Sequence, residues 1–271
     1  MNRAEEALKR KPKRWVMNLI FLVAMIVAIV FSFSGSKINW SRFRSIGHSL
    51  RVMIAGFADL QWDFFFGTGI FQFQEGVVYL TLVTLAIAFI GTFIGAVLAI
   101  PFGFLASQNI VGKHVARIGE AILVIIRVFP EIILALILVK GFGMNALTGV
   151  LTIGLHSIGM LGKLFSEAID NMDRSPLEAL DAVGANIWQK IRYGVIPQVA
   201  ADISSITLYR LDINVRSATV LGIIGAGGLG ASLILAAESW SWNILGTILL
   251  AIVVMVLVVD VISSYLRGKL V

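Results

Sequence analysis

Three arginines stand where arginine is expensive. Arg127, Arg210 and Arg216 fall inside long apolar runs, and a guanidinium at the middle of a membrane helix costs about 2.5–3.5 kcal/mol on insertion scales. Such charges call for internal partners or for a polar pathway. Arg216 follows Asp212 by four residues and Arg127 precedes Glu131 by four, so on unbroken helices each could meet an acid on its own face. Arg210 has no acid three or four residues away on either side. At a rise of about 1.5 Å per residue, Arg210 lies about 16 Å into a helix starting near Val199, and Arg127 about 14 Å into one starting near Ile118. Two guanidiniums at similar depth would form a cationic waist, lowering the desolvation barrier for an anion while holding it loosely enough to release. Arg216 joins this candidate pathway. His156, midway along another apolar run, either adds a titratable donor to it or is a satisfied interhelical polar group.

Other chemistries find no foothold. Cysteine is absent, which removes disulfides and thiolates. His48, His114 and His156 show no metal-ligand spacing, so no metal site is expected, and no serine–histidine–acid grouping suggests an intramembrane enzyme. A G-x-x-x-x-G-K-[ST] phosphate loop is missing. The stretch Gly225-Ala226-Gly227-Gly228-Leu229-Gly230 satisfies a dinucleotide pattern, but that pattern carries meaning only between a strand and a helix. After an apolar run it reads as a flexible turn, with Gly225, Gly227, Gly228 and Gly230 as candidate gate residues.

Residues 170–198 form the longest charged stretch in the second half of the chain. Ser175-Pro176-Leu177-Glu178 has the form of a capping box, with Ser175 as N-cap, Pro176 at the first helical position and Glu178 at the third. A short helix is predicted through Val183, stopping at Gly184 in the left-handed conformation. A second is predicted over Asn186–Tyr193, and Pro197 opens the next apolar run. Two short helices joined at a glycine make either a knob suited to a groove on a partner protein or an elbow lying passively on the membrane.

The elements that must position these groups follow from composition. Of 271 residues, 58% are hydrophobic and 14% charged, against about 45–50% and about 25% in ordinary globular chains. The excess is blocked into apolar runs long enough to cross a hydrocarbon core of about 30 Å. Six spans are predicted: Val16–Phe33, Val77–Leu105, Ile118–Val139, Met144–Phe165, Val199–Ile224 and Ile244–Leu266. The chain reads as an all-α, polytopic membrane protein. That excludes a soluble enzyme, a secreted disulfide scaffold and a nucleic-acid-binding domain; the pI of 9.8 reflects basic loops. Pro101 should kink or end the second span. The first 75 residues are expected to hold a basic cytoplasmic head, a retained first helix (cleavage after 34–36 being the alternative) and an aromatic interfacial segment. Residues 76–267 form the core.

With the N-terminus inside, fourteen Lys/Arg fall on the cytoplasmic side, five outside and three within spans. The positive-inside rule thus places both termini in the cytoplasm.

Glu178-Ala179-Leu180, Gly184 and Ile196-Pro197 stand at the spacing of the EAA loop of type I ABC-importer permeases, which the chain resembles from about Gly76 to Leu266. That family's pattern is E-A-A, three residues, G, nine residues, I-x-L-P. Leu180, Gly194 and Ile196 depart from it. Phe129-Pro130-Glu131, residues 156–164 (HSIGMLGKL) and residues 208–230 (LYRLDINVRSATVLGIIGAGGLG) are most similar to the phosphonate permeases among these importers. The resemblance implies the type I importer fold in a prokaryotic plasma membrane and a substrate that is a phosphonate or related phosphorus oxyanion. It implies a coupling loop seated in a separate ATPase subunit, which carries ATP and Mg. It further implies an extracellular solute-binding protein and a second permease copy. An importer of an amino acid or betaine, and an ion-driven carrier, are the alternatives; a carrier needs no EAA loop.

The topology is open to direct measurement. Cysteine placed at Lys140 should react with an impermeant thiol reagent from outside, and cysteine at Asn186 only after the membrane is opened. Labelling of position 186 in intact cells would invert the orientation.

Overall fold

The computed structural model describes residues 14–35, 46–69 and 72–270. The basic-head residues Arg3, Lys9, Arg10, Lys11 and Lys13, and also Lys37, Arg42 and Arg44, lie outside them. The chain divides into two units, 1–53 and 54–271. In the first, helix α1 (Arg14–Gly35) is apolar all round and every residue from 15 to 34 is exposed, the signature of a helix made for lipid or for another helix. Helix α2 (Ile46–Ala58) straddles the division.

The regular secondary structure of the second unit's described residues is all helical. After the short α3 (Trp62–Phe66) come α4 (Val77–Ala106), α5 (Lys113–Val128), α6 (Glu131–Phe142) and α7 (Ala146–Asp170). Then follow α8 (Ser175–Ala182), α9 (Ile196–Leu221), α10 (Leu229–Glu238) and α11 (Trp242–Leu270). Among the described residues four helices, α1, α4, α7 and α11, are long and apolar enough to span a membrane unaided. Counting each bent pair, α5 with α6 and α9 with α10, as one span gives six. The all-α, six-span reading holds, with two spans broken.

Each break has a local cause. Between α5 and α6 the chain turns by 77°. Pro130 has no amide to continue the helix and pushes Phe129 into extended geometry (φ −69°, ψ 121°). The single third span expected from hydropathy is therefore two half-helices. The fifth span runs straight to Leu221, passes through a π-turn at Gly222–Ala226 and bends by 59° into α10. Pro101, by contrast, does not end α4, which continues to Ala106.

The main interface is α4 against α7. Helices without a hydrophobic drive to associate approach closely only where side chains are small. A Cβ on Gly95 would stand 2.7 Å from Ser157 Cβ and 2.8 Å from the Gly154 carbonyl oxygen. At the N-terminal end of α11 Phe57 meets Trp242 edge-to-face at 5.9 Å, and the Gln61 amide donates to Thr247 Oγ1 at 3.0 Å. Those contacts tie the aromatic segment to α11.

Gly95→Val should separate α4 from α7, costing about 1–3 kcal/mol as overpacking does. In detergent its melting temperature, followed by size-exclusion chromatography, should fall, whereas Phe93→Leu on the exposed face of α4 should leave it unchanged.

Candidate functional site

Arg210 is 4% exposed, and its partners come from α7. Nε donates to Ser157 Oγ at 3.3 Å, one terminal nitrogen approaches Met160 Sδ at 2.9 Å, and the other lies 2.9 Å from His156 Nδ1. A guanidinium only donates, so His156 Nδ1 accepts and the ring proton sits on Nε2. Asn214, one turn further along α9, donates to Thr92 Oγ1 at 2.7 Å and to Ser157 Oγ at 3.0 Å. A polar seam thus joins α4, α7 and α9 in the bundle interior.

Glu131, the first residue of α6, closes this seam. Its Oε2 accepts from Ser217 Oγ of α9 at 3.0 Å and lies 4.0 Å from His156 Nδ1. Both of the latter atoms are acceptors in this tautomer, so they are neighbours and not a bonded pair. Oε1 of Glu131 is buried with no donor, and so is Oδ1 of Asp212.

The other two arginines part company. Arg216 pairs with Asp212 one turn earlier, as their spacing implies. Asp212 is buried, while the Arg216 side chain is 55% exposed. It borders a groove of about 390 Å³ that Pro130, Glu131, Ile132, Ile213, Ser217 and Val220 also line. The expected pairing of Arg127 with Glu131 is not made, because the 77° bend falls between them. Arg127 stands exposed in the last turn of α5, with no ion pair among the described residues. The α-helix carrying Arg210 begins at Ile196, not Val199, which places Arg210 about 21 Å and Arg216 about 30 Å along it. Arg127 and Arg210 both stand beside the middle of α7, the Arg127 amide at Gly159 and the Arg210 guanidinium at His156, Ser157 and Met160. But Arg127 is exposed and Arg210 buried, and the open Arg216 lies farther along α9.

The glycine stretch is packed, not slack. Gly225, Gly227 and Gly228 take φ of 98°, 83° and 73°, a region open to glycine and strained for other residues. The Leu229 amide donates to Thr84 Oγ1 of α4 at 2.9 Å, and Gly230 lies buried in the first turn of α10. The expected flexible turn is an anchored corner.

In the loop after α7, α8 ends as expected at Gly184, φ 75°. Its start differs. Ser175 is the first helical residue and Arg174 is the N-cap without a side-chain bond. Asp173 accepts from the Ser175 amide at 3.0 Å and from its hydroxyl at 2.8 Å. These two bonds hold the exposed Asp173 carboxyl below the usual carboxylate range. The capping box belongs instead to Asn186 and Gln189, whose side chains and amides bond reciprocally at 2.9 and 2.8 Å. From there residues 187–189 run through a π-turn, Lys190–Val195, directly into α9. The second short helix is thus the root of the fifth span. Asp181 of α8 pairs with Lys190 across the loop.

Glu178, Ala179, Gly184, Ile196 and Pro197 are all exposed, and Val183, Ile187 and Trp188 form an apolar surface beside them. The departures from the EAA pattern compensate one another. A Cβ on Gly194 would meet Leu177 Cδ2 at 2.9 Å and Leu180 Cδ1 at 3.1 Å. Leu180 fills the space that a larger residue at 194 would occupy.

Ser157, Asn214, Thr92 and Ser217 were not singled out by sequence, nor was a group that ties the loop down. Asp170 Oδ1 accepts from Ser107 Oγ at 2.6 Å and from the Asn109 amide at 3.1 Å. Asn109 donates to the carbonyls of Ile169 and Asp170 at 3.2 and 3.0 Å, and accepts from Arg174. Polar residues inside apolar runs flag the first set; nothing local flags the second, since its partners are about 60 residues apart.

Residues 99–270 match the family described as binding-protein-dependent transport system inner membrane component. A phosphite transport system permease protein of Stutzerimonas stutzeri is 39% identical over 186 residues, 68% of this chain and 67% of that protein. A phosphate-import permease protein of Mycolicibacterium smegmatis is 36% identical over 190 residues, 69% of this chain but only 36% of that protein. The MetNI methionine ABC transporter, solved in inward-facing conformations, has the same fold: TM-score 0.63 over 72% of this chain and 96% of that one, at 22% identity.

Gly194→Ile should destabilise the loop by about 1–3 kcal/mol through overpacking, and Leu180→Ala should relieve most of that in the double variant. Proteolysis rates of the loop in the two single variants and the pair measure this coupling; additive effects would show that the two positions are independent.

Proposed function

Because the chain belongs to the family of binding-protein-dependent transport system inner membrane components, we propose that it is the permease of an ATP-driven importer for a phosphonate, phosphite or related phosphorus oxyanion. Two permease copies would enclose the pathway in a prokaryotic plasma membrane, with both termini cytoplasmic. Two ATPase subunits would bind ATP and Mg and seat the loop at 170–198, and a solute-binding protein would deliver the anion from outside.

One observation carries this reading. The second half of the exposed loop, Arg210 and Arg216 are parts of a single helical segment, continuous from the Asn186 cap through the π-turn to Leu221. A partner that grips Ile187 and Trp188 therefore moves Arg210 and Arg216 with them. The two guanidiniums have separate tasks. Arg210, buried and fully engaged with α7, holds α9 in register. Arg216, with an exposed head on a span, needs water or an anion beside it, because lipid would not tolerate it. Its Asp212 partner keeps the site from binding an anion too tightly to release. The names of the phosphite and phosphate-import relatives support the substrate class.

The test is ATP-dependent uptake of phosphite and methylphosphonate in proteoliposomes containing the permease, its ATPase and its binding protein. Arg216→Gln should lower uptake about tenfold, equivalent to about 1.4 kcal/mol, while the ATPase stays bound. Trp188→Asp should release the ATPase during purification. Uptake of an amino acid or betaine in place of both phosphorus compounds would overturn the substrate; a bound ATPase in Trp188→Asp would overturn the docking surface.

A further inference from the structure

The groove beside Arg216 has a feature that a simple anion site would avoid: a carboxylate. Glu131 lines it together with Arg216 and Ser217. Formal charges here cancel, Arg210 and Arg216 against Glu131 and Asp212, with His156 neutral because it accepts from Arg210. The groups near Glu131 are His156 from α7 and Ser217, Arg216 and Arg210 from α9; Arg127, on α5, makes no ion pair among the described residues.

One oxygen of Glu131 is taken by the Ser217 hydroxyl; the other has no donor. The terminal torsion of a glutamate is broad, so a partial turn, unlike a half-turn that merely exchanges the two oxygens, carries the donorless oxygen from its buried position toward the groove that Glu131 lines. A buried acceptor without a donor costs about 1–3 kcal/mol, and a ligand that brings the missing hydrogen relieves it. A fully ionised oxyanion brings none and meets the carboxylate as a like charge. A monoanion bearing a P–OH group offers its charged oxygens to Arg216 and its hydroxyl hydrogen to Glu131. Ile132, Ile213 and Val220 leave an apolar wall for a carbon or hydrogen substituent on phosphorus.

Resting on the phosphorus-oxyanion reading above, we propose that Glu131 is a specificity residue that selects the hydrogen-bearing monoanion and excludes fully ionised oxyanions. No proton need be transferred: the P–OH hydrogen bonds to the carboxylate and leaves with the substrate.

The experiment uses the complete transporter in proteoliposomes, with excess substrate-loaded binding protein and methylphosphonate as probe. Uptake is measured from one pH unit below to one unit above the second pKa of methylphosphonate, and each variant is expressed as a ratio to the unchanged protein. Contributions of the ATPase and binding protein cancel in that ratio. The monoanion fraction falls about tenfold over this interval. With Glu131→Gln, whose amide can donate to an ionised oxygen, the ratio should rise about tenfold with pH. Glu131→Ala should give a rise in the same direction, so either variant that is recovered monodisperse decides. Glu131→Asp should keep the original profile at a lower rate, and Arg216→Gln should give a low, flat ratio. A flat ratio for Glu131→Gln or Glu131→Ala would reduce Glu131 to a structural role and overturn the proposal. No phosphonate uptake by the unchanged protein at any pH would defeat the substrate reading itself.

Discussion

A guanidinium buried in a membrane-spanning helix must be given acceptors by its neighbours, and the three groups that Arg210 meets all belong to α7. That demand sets the rotation of α9. With Arg210 turned inward, Asn214 falls on the same face one turn later and reaches both Thr92 and Ser157. Ser157 can serve two helices because Gly95 lets α4 approach its backbone. The close α4–α7 contact and the polar seam are therefore mutually dependent: widen the first and the second loses its geometry. Interhelical hydrogen bonds are individually modest, about 0.6 kcal/mol on average in a membrane, so it is their shared dependence on one register that makes the arrangement specific.

The two broken spans answer a second constraint. Backbone that leaves helical geometry inside a bilayer is tolerated only where protein covers it or water reaches it. The Pro130 break turns Glu131 toward Ser217 of α9. At the glycine corner, the Leu229 amide that would begin α10 unpaired is accepted by Thr84. Both breaks thus lie next to α9, on which Arg210, Asp212, Asn214 and Thr219 are the polar half of the eight buried residues. Irregular backbone and polar side chains cluster together because each relieves the other's cost.

Much of this was readable from the chain alone. Apolar runs located the spans to within about five residues, since hydropathy over about 20 residues reports the bilayer's thickness directly. The exception is the fifth, which was expected to end at Ile224 and continues past the glycine corner to Glu238. The Asp212–Arg216 pair and the Gly184 stop followed from spacing, because both are local. The failures share a cause: local rules were extended across a place where the backbone stops being helical. Arg127 and Glu131 are four apart, but the i,i+4 rule presumes an unbroken helix, and Phe129-Pro130 breaks it. Ser175 looked like the cap, yet Asp173, two residues earlier, accepts from the Ser175 amide that Glu178 would take in a capping box. The partners of Arg210 were beyond reach because they stand 50–54 residues away, and only the packing of α7 on α9 brings them in.

The loop at 170–198 gains its meaning from where its two ends are fixed. One end enters α9 without interruption, by way of the π-turn. The other is tied through Arg174, Asn109 and Asp170 to the turn between α4 and α5. The Asp181–Lys190 pair then braces α8 against the root of α9. On the proposed reading, a partner pressing on Val183 and Trp188 cannot bend the loop without breaking these contacts, so it displaces the loop as a body. The displacement is divided between α9, which carries the arginines, and the α4–α5 turn, which leads to the Pro130 break. A rigid loop with two outlets can thus move both walls of the Glu131–Arg216 groove at once, whereas a loop hinged at one end would move only the wall to which it is joined.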